Sequence, residues 1–183
     1  MGMIKPFGPS IYQGAITEKL RKELLALAFD AKDDASPILV GQLTEQLYLY
    51  PEDDQMKLIL DCVRIYTNHQ NALIEIDPLW VNFQTANDWQ PVHNHDGDLS
   101  FVCYLDIPKG IYEETPEAGS LYFNYGERQK GSNNVWGPIK PTNGDFFIFP
   151  SWLNHYVYPF RSPGQRVSMS GNIWLKSDSS PSY

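Results

Sequence analysis

Three of the four histidines in this 183-residue chain fall in two short patches. His93 and His95 stand two apart in QPVHNHDGDLSF, and His155 sits in GDFFIFPSWLNHYVYPF. Neutral imidazole is the commonest side-chain ligand for Fe, Zn, Cu and Ni, so a scarce residue concentrated in this way points to a bound transition metal. Residues i and i+2 of an extended segment project to the same face, and His93 and His95 can therefore reach one ion together. His155 is expected to join them from a facing strand. Two neighbouring ligands plus a distant one leave one face of a metal open, as in non-haem Fe(II) sites. The competing account of His-x-His by itself is a polar loop that binds nothing, since Asn94, Asp96 and Asp98 surround it. His69 lies at the polar end of an expected helix and reads as solvated.

The downstream patch carries more than a histidine. Gly144, Asp145, Phe149, Pro150 and His155 spell G-D-x-x-x-F-P-x-x-x-x-H, and Arg166 and Ser168 follow. This string resembles the C-terminal signature of the 2-oxoglutarate- and Fe(II)-dependent oxygenases, including prolyl-hydroxylase-like members. The segment HNHDGDLSFVCYLDIP is similar to the family's metal motif and the strand after it. AGSLYF, with Gly119, Leu121 and Phe123, is similar to its Gly-x-Leu-x-Phe strand. The resemblance runs from about Trp80 to Trp174, roughly half the chain. It implies Fe(II) as the metal, 2-oxoglutarate and O2 as cosubstrates, and hydroxylation of a protein or peptide side chain or a small metabolite. It also implies Tyr104 as a residue beside the oxoacid.

Arg166 has a physical argument of its own. An oxoacid that chelates a metal through one end must have its far carboxylate neutralised in an apolar interior, and a guanidinium does this with two parallel hydrogen bonds. Arg166 and Ser168 alternate with Val167 and Met169, so they share one strand face. Arg161, in the turn before them, is expected to be solvated. Asn82 and Asn172 are weaker candidates for the pocket wall, while Trp80, Trp152 and Trp174 read as packing.

One position departs from the family pattern, which pairs the first histidine with Asp or Glu two residues on; here that place is His95. Three arrangements remain open: a site of His93, His95 and His155; Asp98 substituting through a short loop; or Asp96 entering by a bulge. Strand periodicity favours the three histidines. A rival resemblance is to cupins: a metal-dependent isomerase, a dioxygenase that does not use 2-oxoglutarate, or a non-catalytic binding module. Their second motif wants Gly where Trp152 stands, and Arg166 with Ser168 favours the oxoacid-dependent class.

The elements that must position these residues are legible in the periodicity. TEKLRKELLALAFDAK sets Leu20, Leu24, Leu27 and Ala28 at helical spacing behind a Thr17 cap. PEDDQMKLILDCVRIYTNHQ predicts a second helix opening at Pro51, with a stripe of Met56, Ile59, Leu60, Val63, Tyr66 and Thr67 to lay on a sheet. A short strand is expected between them, within 42–50. From Pro78 onward seven β-branched and aromatic runs follow, separated by turn residues. The runs predict a mainly β sandwich or barrel with flanking helices, and the resemblance implies that it is a double-stranded β-helix (jelly-roll, cupin-like) barrel braced by N-terminal helices. It is expected to be one domain over 1–183, with a helical front at about 1–75, the barrel at about 76–176 and a frayed tail. The acidic segment PKGIYEETPEAG, 108–119, can serve as a lid over the pocket or form a plain solvated hairpin.

Composition excludes some classes. A formal net charge of −8 and the lack of a basic patch oppose nucleic-acid binding, which draws on lysine and arginine displacing counterions. No run approaches the roughly 20 apolar residues of a membrane helix, and no leader peptide is apparent, so a soluble, unprocessed protein is expected. Cys62 and Cys103 fall on buried faces and are expected to be reduced, which suits the cytoplasm. Oligomeric state and substrate are not legible.

Overall fold

The computed structural model describes residues 2–68, 73–128, 130–131 and 133–176; His69 and the expected frayed tail lie outside them. The strands are β1 (Gly2–Ile4), β2 (Ile11–Ala15), β3 (Glu45–Tyr48), β4 (Leu73–Gln84), β5 (Gln90–His93) and β6 (Leu99–Asp106). They continue as β7 (Leu121–Asn124), β8 (Val135–Ile139), β9 (Asp145–Pro150), β10 (Asn154–Val157) and β11 (Arg166–Lys176). The helices are α1 (Glu18–Asp30) and α2 (Asp53–Thr67).

Every strand pairing is antiparallel. One sheet runs β1-β2-β9-β6-β11-β4-β3, and the second runs β5-β10-β7-β8. The alternation of side chains along the large sheet divides the interior in two. Phe101, Cys103 and Leu105 of β6, Phe146 and Ile148 of β9, and Val167 and Met169 of β11 pack under α1 and α2 with Leu24, Ile59 and Val63. The residues between them point the other way. Tyr104, Phe147 and Phe149 meet Leu121, Phe123 and Val157 of the small sheet in a second core. The space between the two sheets is thus built from the odd-versus-even choice on three central strands.

The helices form as their sequences dictate. Thr17 caps α1, its hydroxyl accepting the Leu20 N–H at 3.3 Å. The second helix starts later than Pro51: Glu52 is the cap and closes a box with Gln55, whose Oε1 accepts the Glu52 N–H at 3.0 Å. Pro51 stands just outside, because an acid-rich first turn offers a better acceptor for the free N–H groups than proline does.

The front of the chain is not helical alone. Three strands come from it, and β2 pairs with β9 from Tyr12↔Ile148 to Ala15↔Asp145, directly beside the central strands. Period-2 alternation over IYQGA is short and contains Gly14, which sits there because a Cβ would lie 2.6 Å from the Phe146 ring. β5 is likewise a strand that the sequence pattern did not mark. Cys62 and Cys103 are buried and unbridged. Among the described residues no helix is long and apolar enough to cross a membrane.

Candidate functional site

β5 and β10 lie side by side with His93 directly opposite His155. Their ring centroids are 4.3 Å apart. His95, just past the end of β5, folds back so that its Nε2 stands 3.2 Å from Nε2 of His155. The ligand atoms of His93, His95 and His155 all lie within 4.8 Å of one another. Two nitrogens about 2.1 Å from a shared ion at roughly 90–109° would be about 3.0–3.4 Å apart, so the spacing of the His95–His155 pair fits a common metal.

The surrounding backbone orients the rings. Nδ1 of His93 lies 2.7 Å from the Pro91 carbonyl, and Nδ1 of His155 lies 3.0 Å from the Leu153 carbonyl. A carbonyl accepts only, so Nδ1 carries the proton and Nε2 keeps its lone pair, as is usual where a histidine ligates a metal. Phe149 and Phe123 pack on His155, and Trp80 packs on His95. Burial holds all three imidazoles below their ordinary range. His95 is at about 3 through burial and then the nearby His93; His155 is pushed well down by burial and then by His93 and His95; His93 is lowered by burial. Neutral ligands are what a divalent cation needs.

Asp98 and Asp96 stand outside this cluster. The Asp98 carboxylate accepts the Leu175 N–H at 2.7 Å, which ties it to β11. Asp96 is exposed on the loop. The three-histidine arrangement favoured by strand periodicity is the one the chain brings together.

A narrow cavity runs from the histidines between the sheets, walled by Tyr104, Leu121, Phe149 and Val157, and Arg166, Ser168 and Ser170 face it. Arg166 is 2% exposed. Its Nη1 donates to the Gly119 carbonyl at 2.7 Å and its Nη2 to Gln84 Oε1, while Nε has no partner. Burial lowers its pKa, with Tyr104 and Tyr112 acting in the opposite sense. Among the described residues no carboxylate pairs with it. A buried guanidinium without a counterion is expensive, and the cavity in front of it is where an anion would remove that cost.

Tyr104 lies beneath the guanidinium, 5.8 Å from its carbon to the ring centre. Burial pushes its hydroxyl up to about 12, against the lowering effect of Arg166, so it stays protonated and able to donate. Neither that hydroxyl nor the Ser168 hydroxyl bonds to another described residue. Arg161 is exposed, as expected, its N–H bound to Glu114. Asn82 and Asn172 do not line the cavity: Asn82 takes a hydrogen bond from Gln46 and donates to the hydroxyl of Ser170, which does line it, and Asn172 takes one from Ser100. The sequence pattern gave no weight to Gln84, although Trp80, Asn82 and Gln84 alternate along the same strand face. The 108–119 segment forms a turn-rich loop with Ile111 and Ala118 packed on Phe160, and its last residue supplies the Gly119 carbonyl to Arg166.

A protein-family model described as "Putative 2OG-Fe(II) oxygenase" matches residues 78–172. The chain belongs to the 2OG-Fe(II) oxygenase family. Solved structures agree on the fold. A Pseudomonas putida prolyl-4-hydroxylase is 16% identical, with a TM-score of 0.63 over 91% of this chain and 92% of that one. A viral collagen prolyl hydroxylase from Paramecium Bursaria Chlorella virus-1, solved as a 2OG complex, is 15% identical, with a TM-score of 0.59 over 89% and 94%. HygX from Streptomyces hygroscopicus, with nickel, 2-oxoglutarate and hygromycin B bound, is 10% identical, with a TM-score of 0.60 over 92% and 83%. A search of curated protein sequences found no match. The family's cofactors, Fe(II) and 2-oxoglutarate, suit a site with three neutral imidazoles at one end and a buried guanidinium at the other.

Proposed function

We propose that this chain is a 2-oxoglutarate-dependent dioxygenase that hydroxylates a protein or peptide side chain or a small metabolite. Family membership supports the reaction class, and the likeness to prolyl hydroxylases favours a peptide. The observation that carries the reading is Arg166, a buried cation with an orphaned Nε facing the cavity that leads to the histidines.

In this reading His93, His95 and His155 hold Fe(II). Arg166 binds the far carboxylate of 2-oxoglutarate, and the Ser168 and Tyr104 hydroxyls donate to it. The two sheets form a double-stranded β-helix of the jelly-roll kind, within one domain spanning 1–183. The unbridged Cys62 and Cys103 suit a cytoplasmic setting. The cupin alternatives leave the buried arginine without a role.

Bound Fe(II) supplies the O2 chemistry, in which one oxygen atom enters succinate as 2-oxoglutarate loses CO2 and the other enters a substrate C–H bond. The protein's own groups do the positioning. The Pro91 and Leu153 carbonyls hold the imidazoles of His93 and His155 with Nε2 inward. Gln84 is itself anchored, its Nε2 donating to the Asp88 carbonyl at 2.6 Å, so its Oε1 keeps Arg166 from turning away. Phe123 and Phe149 exclude water beside His155.

Anaerobic titration with Fe(II) and 2-oxoglutarate, followed by visible absorbance, tests this directly. A weak band is expected that saturates with 2-oxoglutarate and vanishes in Arg166→Ala. A wild-type protein without the band overturns the proposal.

A further inference from the structure

On the far side of His95 from the cavity lies an open groove of about 690 Å³, and His95 is the one residue that lines both. Four acids border it: Glu75, Asp77, Asp96 and Asp98. Two of them are committed, Glu75 to Lys176 and Asp98 to the Leu175 N–H. Asp77 and Asp96 are exposed and form no ion pair with any described residue.

Two further observations point to a ligand here. Asn172 lines the groove although it is only 7% exposed, and its carboxamide nitrogen donates to no described residue. Its oxygen is held by the Ser100 hydroxyl, so the nitrogen keeps a fixed direction and stays open to the groove, free to donate to a bound carbonyl. The wall formed by 38–40 is apolar and solvent-facing, with Ile38 59% and Val40 46% exposed. Trp174 adds an aromatic surface, held by its Nε1 donating to the Asp77 carbonyl at 2.9 Å.

We infer that the groove binds an extended basic peptide, with a lysine or arginine side chain toward Asp77 and Asp96 and an aliphatic neighbour against Ile38 and Val40. The inference rests on the proposed oxygenase reading and supplies its substrate class. An ammonium or guanidinium answers two unpaired carboxylates, a backbone carbonyl answers the Asn172 amide, and an aliphatic side chain covers the apolar wall. A single small amine has no group for the apolar wall. His95 at the groove's end brings the bound peptide to the metal-binding histidines.

The test uses three fluorescein-labelled nine-residue peptides, identical except for a central Lys-Lys, Gln-Gln or Glu-Glu pair beside a leucine. Binding to the full chain is read by anisotropy at 50 and 300 mM NaCl. The Lys-Lys peptide should bind at least tenfold tighter than Gln-Gln and weaken with salt. Asp77→Asn with Asp96→Asn should remove most of that preference, whereas Asp53→Asn with Asp54→Asn, an equal loss of charge on α2, should not. Equal binding of the three peptides overturns the inference, as does an equal loss in both double variants. Competition by N-acetyl-lysine amide as effective as that by the peptide also overturns it, in favour of a small amine. Anisotropy needs neither Fe(II) nor O2, so a protein that binds the peptide but lacks the absorption band refutes the oxygenase reading alone. A protein with the band but no peptide preference refutes the inference alone.

Discussion

Arg166→Met separates an arginine that holds the fold together from one that waits for a ligand. In the structure the guanidinium bonds to the Gly119 carbonyl and to Gln84, has a free Nε and lacks a carboxylate among the described residues. Losing the two bonds costs about 1.5–3 kcal/mol each, since the donor is charged. Against this, removing a buried and unneutralised charge recovers a desolvation penalty of several kcal/mol. The two effects nearly cancel, so the variant should unfold within about 2 kcal/mol of wild type in a urea titration without metal. An arginine in a buried salt bridge would instead cost about 3–5 kcal/mol when truncated.

Binding should respond very differently. Two charge-assisted bonds to the far carboxylate are together worth about 3–6 kcal/mol, so the 2-oxoglutarate midpoint of the anaerobic titration should rise by roughly 10²–10⁴-fold. A saturating ligand at about 100 times its Kd stabilises the folded state by about 2.7 kcal/mol, and the variant should gain no more than about 0.4 kcal/mol at the same concentration. Two results would refute the reasoning. One is a loss of stability beyond about 4 kcal/mol, which makes Arg166 structural. The other is an absorption band with an unchanged 2-oxoglutarate midpoint.

Other consequences are equally direct. Cobalt(II) or zinc(II) should raise the melting temperature of wild type, and His155→Ala should abolish the rise while the apo protein still folds; a retained rise would remove His155 from the ligand set. The depressed histidines make acid destabilising. Below the ordinary pKa of 6.5 the unfolded chain takes up protons that folded His95, at about 3, and His155 refuse. Stability that is complete above pH 6.5 is therefore lost as pH falls, at about 1.4 kcal/mol per pH unit for each histidine. Between pH 6 and 4 the stability of His155→Ala should fall less steeply than that of metal-free wild type, and parallel slopes would contradict the burial argument. Gly119→Ala should destabilise by at least about 1 kcal/mol in urea and weaken 2-oxoglutarate binding. The residue has φ +64°, its Cβ would lie 2.7 Å from Ile111, and its carbonyl holds Arg166.

The periodic parts of the fold were legible because local pattern and burial agree there. α1 lies where Leu24 and Ala28 recur, and β6, β9 and β11 lie on runs too apolar to be anything but buried. β2 and β5 were not marked. Five residues with a glycine, or four with Pro91 among them, carry too little alternation, and each is a strand only because β9 or β10 offers it a partner. The clustering of the three histidines and the burial of Arg166 were legible for a related reason: imidazole and guanidinium are costly to bury, so their placement on apolar strands is itself a signal.

Neutral partners carry no such signal. Gln84 meets Arg166 only because β4 and β11 pair with those two residues opposite each other, a register set by the whole ladder down to Lys176↔Leu73. The same long-range register bears on the sequence's most open question, the place of a carboxylate beside His93. Gly97, at φ +91°, turns the chain as it leaves His95, and a Cβ there would lie 3.0 Å from the Ile173 carbonyl. The Asp98 N–H then donates to that carbonyl, and its carboxylate accepts the Leu175 N–H. Asp98 is thus spent on closing the end of β11, and His95 is the side chain left facing His155. A three-imidazole site lacks the negative charge of a carboxylate ligand, so a divalent cation held there would carry one more net positive charge than in a two-histidine, one-carboxylate site.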